Sequence, residues 1–94
     1  MFEIQTGEGG YLKLSGRLDA AESERALTQL NTLSQPITVD CSDLEYISSA
    51  GLGILLQTYK RLLGLGHTFK LVNMQPRVRN VFTYAGLDKF LLIE

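Results

Sequence analysis

The chain predicts a single α/β domain, α+β-like in its segregation, with a mixed four- to five-stranded sheet and helices mainly on one side. Three observations carry that expectation. Two stretches near the start alternate apolar and polar residues with period two, three later stretches repeat apolar residues at helical spacing, and short β-branched or aromatic runs separate the helical stretches. With 94 residues, 45% of them hydrophobic and 20% charged, the chain can bury one modest core, so residues 1–94 are expected to form one domain.

Phe2 and Ile4 alternate with polar neighbours, and Tyr11-Leu12-Lys13-Leu14-Ser15 repeats the alternation after Gly7-Glu8-Gly9-Gly10. This reads as an opening β-hairpin. Asp19 precedes apolar positions at Ala26, Leu27, Leu30 and Leu33, and Glu22 follows it at capping-box distance, so a first helix should begin at about Asp19. Ser34-Gln35-Pro36 breaks that helix, and Ile37-Thr38-Val39-Asp40-Cys41 has the β-branched character of an inner strand.

Leu52, Leu55, Leu56, Tyr59, Leu62 and Leu63 then recur every three or four residues, which makes one core-facing stripe of a second helix, stopped by Gly64-Leu65-Gly66. Phe69-Lys70-Leu71-Val72 reads as a strand. Joined through the second helix to the inner strand, it forms a βαβ unit whose two strands should be parallel. Pro76 suits the first turn of a third helix carrying Val78, Val81, Phe82 and Ala85, with Gly86 as its stop. Phe90-Leu91-Leu92-Ile93 is either a last strand or an apolar helix end that covers the core.

Nine basic and ten acidic residues give a formal net charge of -1, which does not favour a polyanion, so no direct nucleic-acid partner is expected. Cys41 is the only cysteine; an internal disulfide and a cysteine-based zinc cluster are excluded, and a reducing compartment fits. The start of the chain lacks a basic region followed by an apolar stretch, and no apolar run is long enough to span a bilayer. A cytoplasmic protein without membrane insertion is the expectation.

Enzyme patterns are missing. A nucleophile elbow needs glycines two residues before and after its serine, but Ile47 precedes Ser49, while Tyr46 and Ala50 flank Ser48. His67, the only histidine, reads as a solvated loop residue. Gly64-Leu65-Gly66-His67-Thr68 lacks the lysine of a phosphate-binding loop, so no cofactor is expected. Asp40, Asp43 and Glu45 are too few for a calcium loop, no metal is expected, and the three read as turn formers and exposed charges. Arg77 and Arg79, with Lys60 and Arg61, read first as wet helix faces and second as a docking patch.

The run Ile47-Ser48-Ser49-Ala50-Gly51-Leu52-Gly53 places two hydroxyls just before the second helix. The first N–H groups of a helix are unpaired and partly positive, so a phosphate added there gains charge-assisted hydrogen bonds. Simple capping is the plainer reading: Ser49 as N-cap would accept from the N–H of Gly51 or Leu52, worth about 1 kcal/mol. Capping does not explain Gly51 and Gly53, each of which costs roughly 0.8 to 1 kcal/mol against alanine inside a helix. They imply either tight packing of helix on strand or a smooth surface against which another protein docks.

Residues Val39 to Gly53 together resemble the signature of the STAS family, which includes bacterial anti-sigma factor antagonists, and Gly16-Arg17-Leu18-Asp19 resembles the segment between that family's second strand and first helix. The resemblance implies a single STAS domain that binds an anti-sigma factor when unphosphorylated and is released when that partner, also a serine kinase, phosphorylates it; a phosphatase reverses the modification. Aligned on Gly51, the phosphorylated serine falls on Ser49, with Ser48 as the alternative, and the implied partner-binding residues are Ser48, Ser49, Ala50, Gly51, Leu52 and Gly53. Ser48 stands where the family usually has aspartate, and Ala50 stands where a second hydroxyl is usual. A second implication is a soluble subunit of a membrane transport ATPase or of a sensory assembly, a use to which similar domains are put.

Overall fold

A computed structural model describes residues 1–94. The strands and helices are β1 (Phe2–Thr6), β2 (Tyr11–Leu18), α1 (Ala20–Leu30), β3 (Ile37–Ile47), α2 (Ser49–Gly64), β4 (Phe69–Val72), α3 (Pro76–Tyr84) and β5 (Leu92–Ile93), with short 3-10 turns at Glu8–Gly10 and Leu87–Lys89. They form one five-stranded sheet in the order β1-β2-β3-β4-β5. The opening hairpin is antiparallel and every other pair is parallel, so the sheet is mixed, as expected.

One sheet face is apolar. Leu12, Leu14 and Leu18 of β2, Ile37, Val39, Cys41, Leu44 and Ile47 of β3, and Phe69 and Leu71 of β4 are buried with Ala26 and Leu30 of α1, Leu52, Leu55 and Leu62 of α2, and Val78 and Phe82 of α3 in one cluster. Burial of these side chains is the main driving force for the fold. The alternating residues Tyr11, Lys13, Thr38 and Asp40 lie on the other face, where they pair in register as Tyr11 with Thr38 and Lys13 with Asp40. No helix of this chain is long and apolar enough to cross a membrane.

The inner strand is longer than its sequence suggests: it continues through Asp43 and Glu45 to Ile47 instead of ending at Cys41. Two irregularities explain this. Lys13 and Ser15 of β2 lie opposite Asp40 and Asp43, and Gly16 and Arg17 lie opposite Leu44 and Tyr46, so β3 carries an extra residue at each place, as in a β-bulge. Asp43 and Glu45 are therefore strand residues, not turn formers; both are exposed, and Asp43 pairs with Lys13 Nζ at 3.0 Å.

Asp40 also departs from the exposed role expected of it. It is only 8% exposed, and it accepts hydrogen bonds from Tyr11 Oη at 2.7 Å, the Ser42 backbone N–H at 3.0 Å and Asn73 Nδ2 at 3.4 Å. Burial alone would raise its pKa, but the bonds from Tyr11, Ser42 and Asn73 outweigh it and hold the carboxyl at about 2. A group depressed in this way stabilises the fold fully above its unfolded pKa and loses that contribution as pH falls through the folded value. Asp40→Asn should thus destabilise by about 1.5 kcal/mol at neutral pH, the range for a hydrogen bond to a charged group. In urea titrations the gap from wild type should shrink below roughly pH 4 and close near pH 2; a constant gap across that window would refute the assignment. The neighbouring Cys41 thiol, pushed up to about 12 by burial and then by the Asp40 charge, is unreactive.

The helices are fixed at their ends. Asp19 caps α1, its carboxylate accepting from the Glu22 N–H at 3.1 Å. The reciprocal half of the capping box is absent, because Glu22 Oε1 turns to Arg25 at 2.9 Å, and Arg25 Nη2 also donates to the Phe2 carbonyl at 2.7 Å. Arg61 is not on a wet face: its Nη2 donates to the carbonyls of Leu30 at 3.0 Å and Leu33 at 2.7 Å, closing the C-terminal end of α1. Pro76 opens α3 as expected, Gly86 with φ +74° follows its end, and of the last apolar run Phe90 and Leu91 follow the 3-10 turn while Leu92 and Ile93 form the two-residue β5.

Candidate functional site

Strands β2 and β3 are parallel neighbours, so they end at the same edge of the sheet, and each runs into a helix there. The join between the two ends is direct. Ser48 donates its N–H to the Leu18 carbonyl at 3.0 Å, which keeps its backbone extended at φ -89° and ψ 171°. From that position Ser48 Oγ accepts from the Gly51 N–H at 3.1 Å, while its carbonyl accepts the first intrahelical bond, from Leu52 N–H at 2.9 Å.

The N-cap of α2 is therefore Ser48 and not Ser49. Two adjacent serines are equivalent to a capping pattern; the extended strand bond to Leu18 decides between them. Ser49 is the first helical residue, exposed, and its hydroxyl takes part in none of the side-chain hydrogen bonds of the chain. Ser48→Ala should cost about 1 kcal/mol of stability by removing the cap, and Ser49→Ala should leave stability within about 0.5 kcal/mol. Paired thermal melts check this; equal losses would contradict the division of roles.

The two glycines also differ. A side chain at Gly51 would press on the Leu18 carbonyl oxygen at 2.8 Å and on Ile47 Cγ1 and Leu18 Cγ at 2.9 Å, so that glycine lets the helix approach the strands. A side chain at Gly53 would meet nothing within 4 Å. Of the run, Ser49 and Ala50 are exposed, Ser48 and Gly53 are half-buried, and Gly51 and Leu52 are buried. The first turn of α2 holds no acidic residue, so its positive end is uncompensated.

Beside this helix start lies a shallow cleft of about 290 Å³, lined by Arg17, Glu45, Tyr46, Arg77 and Val81 over Ile47 and Val78. Three separate elements bring these residues together. The Arg17 guanidinium lies 4.2 Å from the centre of the Tyr46 ring, and Arg77 Nη2 donates to the Glu45 carbonyl at 3.3 Å. Sequence reading singled out Arg77 only as part of a basic grouping and gave Tyr46 no role, because nothing local signals the convergence. Arg79 and Lys60, from the same grouping, are exposed and lie outside the cleft.

Comparison with known proteins bears on the whole chain. The family model described as "Mlab, STAS domain" matches residues 1–94. This chain belongs to the STAS domain family. The anti-sigma F factor antagonist of Paenibacillus polymyxa is 28% identical over 87% of this chain and 74% of its own length; that of Lysinibacillus sphaericus is 28% identical over 96% of this chain and 81% of its own. Among solved structures, an anti-sigma factor antagonist from Mycobacterium paratuberculosis has the same STAS fold, with a TM-score of 0.82 at 23% identity over 99% of this chain and 83% of that one. SpoIIAA, described as an anti-sigma factor antagonist, has been solved unphosphorylated, with a TM-score of 0.75 at 19% identity over 100% of this chain and 87% of that one. It has also been solved in its phosphorylated form, with a TM-score of 0.73 at 21% identity over 100% of this chain and 91% of that one.

Proposed function

We propose that this STAS domain is a cytoplasmic anti-sigma factor antagonist, that it docks on an anti-sigma factor with serine kinase activity through the start of α2, and that Ser49 accepts the phosphate. The observation that carries the reading is the division of the two serines: the Ser48 hydroxyl is committed to the cap, whereas Ser49 Oγ is exposed and unbonded at a positive helix end. The relatives named as antagonists support the partner class.

A phosphate on Ser49 adds about -1.5 to -2 charges next to the free N–H groups of the first turn, so the domain can hold it without unfolding. The partner's contact surface then meets a charge where it had a small hydroxyl and the methyl of Ala50. Release follows from like-charge repulsion and desolvation at that spot, with no rearrangement elsewhere. A phosphatase restores the binding form.

Incubation with the kinase partner and ATP, followed by mass-spectrometric mapping, should place one phosphate on Ser49; Ser49→Ala should abolish it and Ser48→Ala should retain it. Phosphate on Ser48, or none on either, would overturn the assignment. Stable co-purification with a transport ATPase in the absence of any kinase would favour the transporter-subunit role instead.

A further inference from the structure

The cleft next to the helix start holds two guanidinium groups that no carboxylate of the chain satisfies. The ion pairs of the domain are Lys13 with Asp43, Arg25 with Glu22 and Lys70 with Glu94, and Arg61 is bound to carbonyls of α1; Arg17 and Arg77 lie outside all of these. Both are nevertheless held in place. The Arg17 guanidinium lies over the Tyr46 ring and its N–H groups take part in none of the side-chain hydrogen bonds of the chain, and the bond to the Glu45 carbonyl uses a single N–H of Arg77. Glu45 lines the same cleft, but its carboxylate is not within ion-pair distance of either arginine.

The other lining residues apart from Glu45 supply apolar surface: Tyr46 is 39% exposed, Val81 is half-buried, and Ile47 and Val78 are buried. At about 290 Å³ and open to solvent, the cleft lies just below the usual size of small-molecule pockets and is suited to side chains, not to enclosing a cofactor. Ile47, which lines the cleft, immediately precedes Ser48, the N-cap of α2, in the chain.

We propose that this cleft binds an acidic segment of a partner protein, with one carboxylate bridged by Arg17 and Arg77 and an adjoining apolar side chain laid on Tyr46 and Val81. Charge complementarity selects the occupant: two preset, unpaired guanidiniums beside apolar surface match alternating acidic and apolar residues, and guanidinium forks suit carboxylates. The site goes beyond the Ser49 switch and stands whether or not Ser49 is phosphorylated.

The test is a titration of the 15N-labelled protein followed by NMR, using a capped pentapeptide of alternating leucine and acidic residues, its amide counterpart with asparagine and glutamine, inorganic phosphate, and ATP. The acidic peptide should shift the amide signals of Tyr46, Ile47 and Val78, and the neutral peptide should not. The double variant Arg17→Gln/Arg77→Gln, with melting unchanged, should bind about tenfold more weakly, as expected for losing two exposed charge contacts. Glu45→Gln should bind more tightly, because it removes a competing carboxylate. Ser49→Ala should respond like wild type, which separates failure of this site from failure of the switch. Equal shifts with the neutral peptide, an unaltered response in the double variant, or tighter binding of phosphate or ATP than of the acidic peptide would each overturn the proposal.

Discussion

Ser49→Asp is expected to weaken binding to the anti-sigma factor by about a hundredfold while leaving the domain as stable as wild type or slightly more so, since like-charge or unpaired charge contacts in an interface cost several kcal/mol. The two effects have different origins. Binding falls because a carboxylate replaces an unbonded hydroxyl on the exposed side of the first turn of α2. Stability holds because that turn contains no acidic residue, and one placed there gains about 0.3 to 1 kcal/mol from the helix dipole. Ser49→Ala should bind like wild type. Titration calorimetry alongside thermal melts separates the two effects; if both variants bound the anti-sigma factor like wild type, the switch would be refuted.

Gly51→Val should destabilise the domain by about 3 kcal/mol, at the upper end for overpacking a close contact. The first added carbon already falls 2.8 Å from the Leu18 carbonyl oxygen, which cannot swing aside because it also accepts the Ser48 N–H. Gly51→Ala meets the same atoms but regains about 1 kcal/mol of helix propensity, so its net loss should be nearer 1 to 2 kcal/mol. Two residues along the same helix the sign reverses. With open space around it, Gly53→Ala should stabilise by about 0.8 to 1 kcal/mol. Urea unfolding of the three variants reads out the contrast, and a stabilised Gly51→Ala would contradict the close approach. Loss of partner binding in the more stable Gly53→Ala would identify the bare surface as a contact.

Most of the architecture was legible because its signals are local. Period two marked the hairpin, Asp19 marked the start of α1, and the leucine stripe between Ser48 and Gly64 marked α2. The second half of β3 was not, and the reason is geometric. Its two extra residues turn Val39, Cys41, Leu44 and Ile47 toward the core at intervals of two, three and three, so the alternation that betrays a strand disappears. Asp40 was misread for another reason: its partners Tyr11 and Asn73 stand 29 and 33 residues away, and its burial depends on where β2 and the end of β4 are placed. At the helix start the family resemblance pointed to Ser49 as the modified residue, whereas the capping reading placed the N-cap on Ser49, one residue too late. The bond from Ser48 to Leu18 crosses between strands and has no local trace.

The hydrogen bond from Arg25 to the Phe2 carbonyl has a consequence for how this molecule meets copies of itself. In the hairpin, Met1 and Gly7 bond inward to Arg17 and Tyr11, so the backbone groups of Phe2, Ile4 and Thr6 face away from the sheet. An outer strand of this kind is a template for sheet-to-sheet aggregation. A guanidinium from α1 occupies the outward carbonyl of Phe2 at 2.7 Å and covers that end with charge, leaving only Ile4 and Thr6 with both backbone groups free, too short a run for a second chain to extend the sheet.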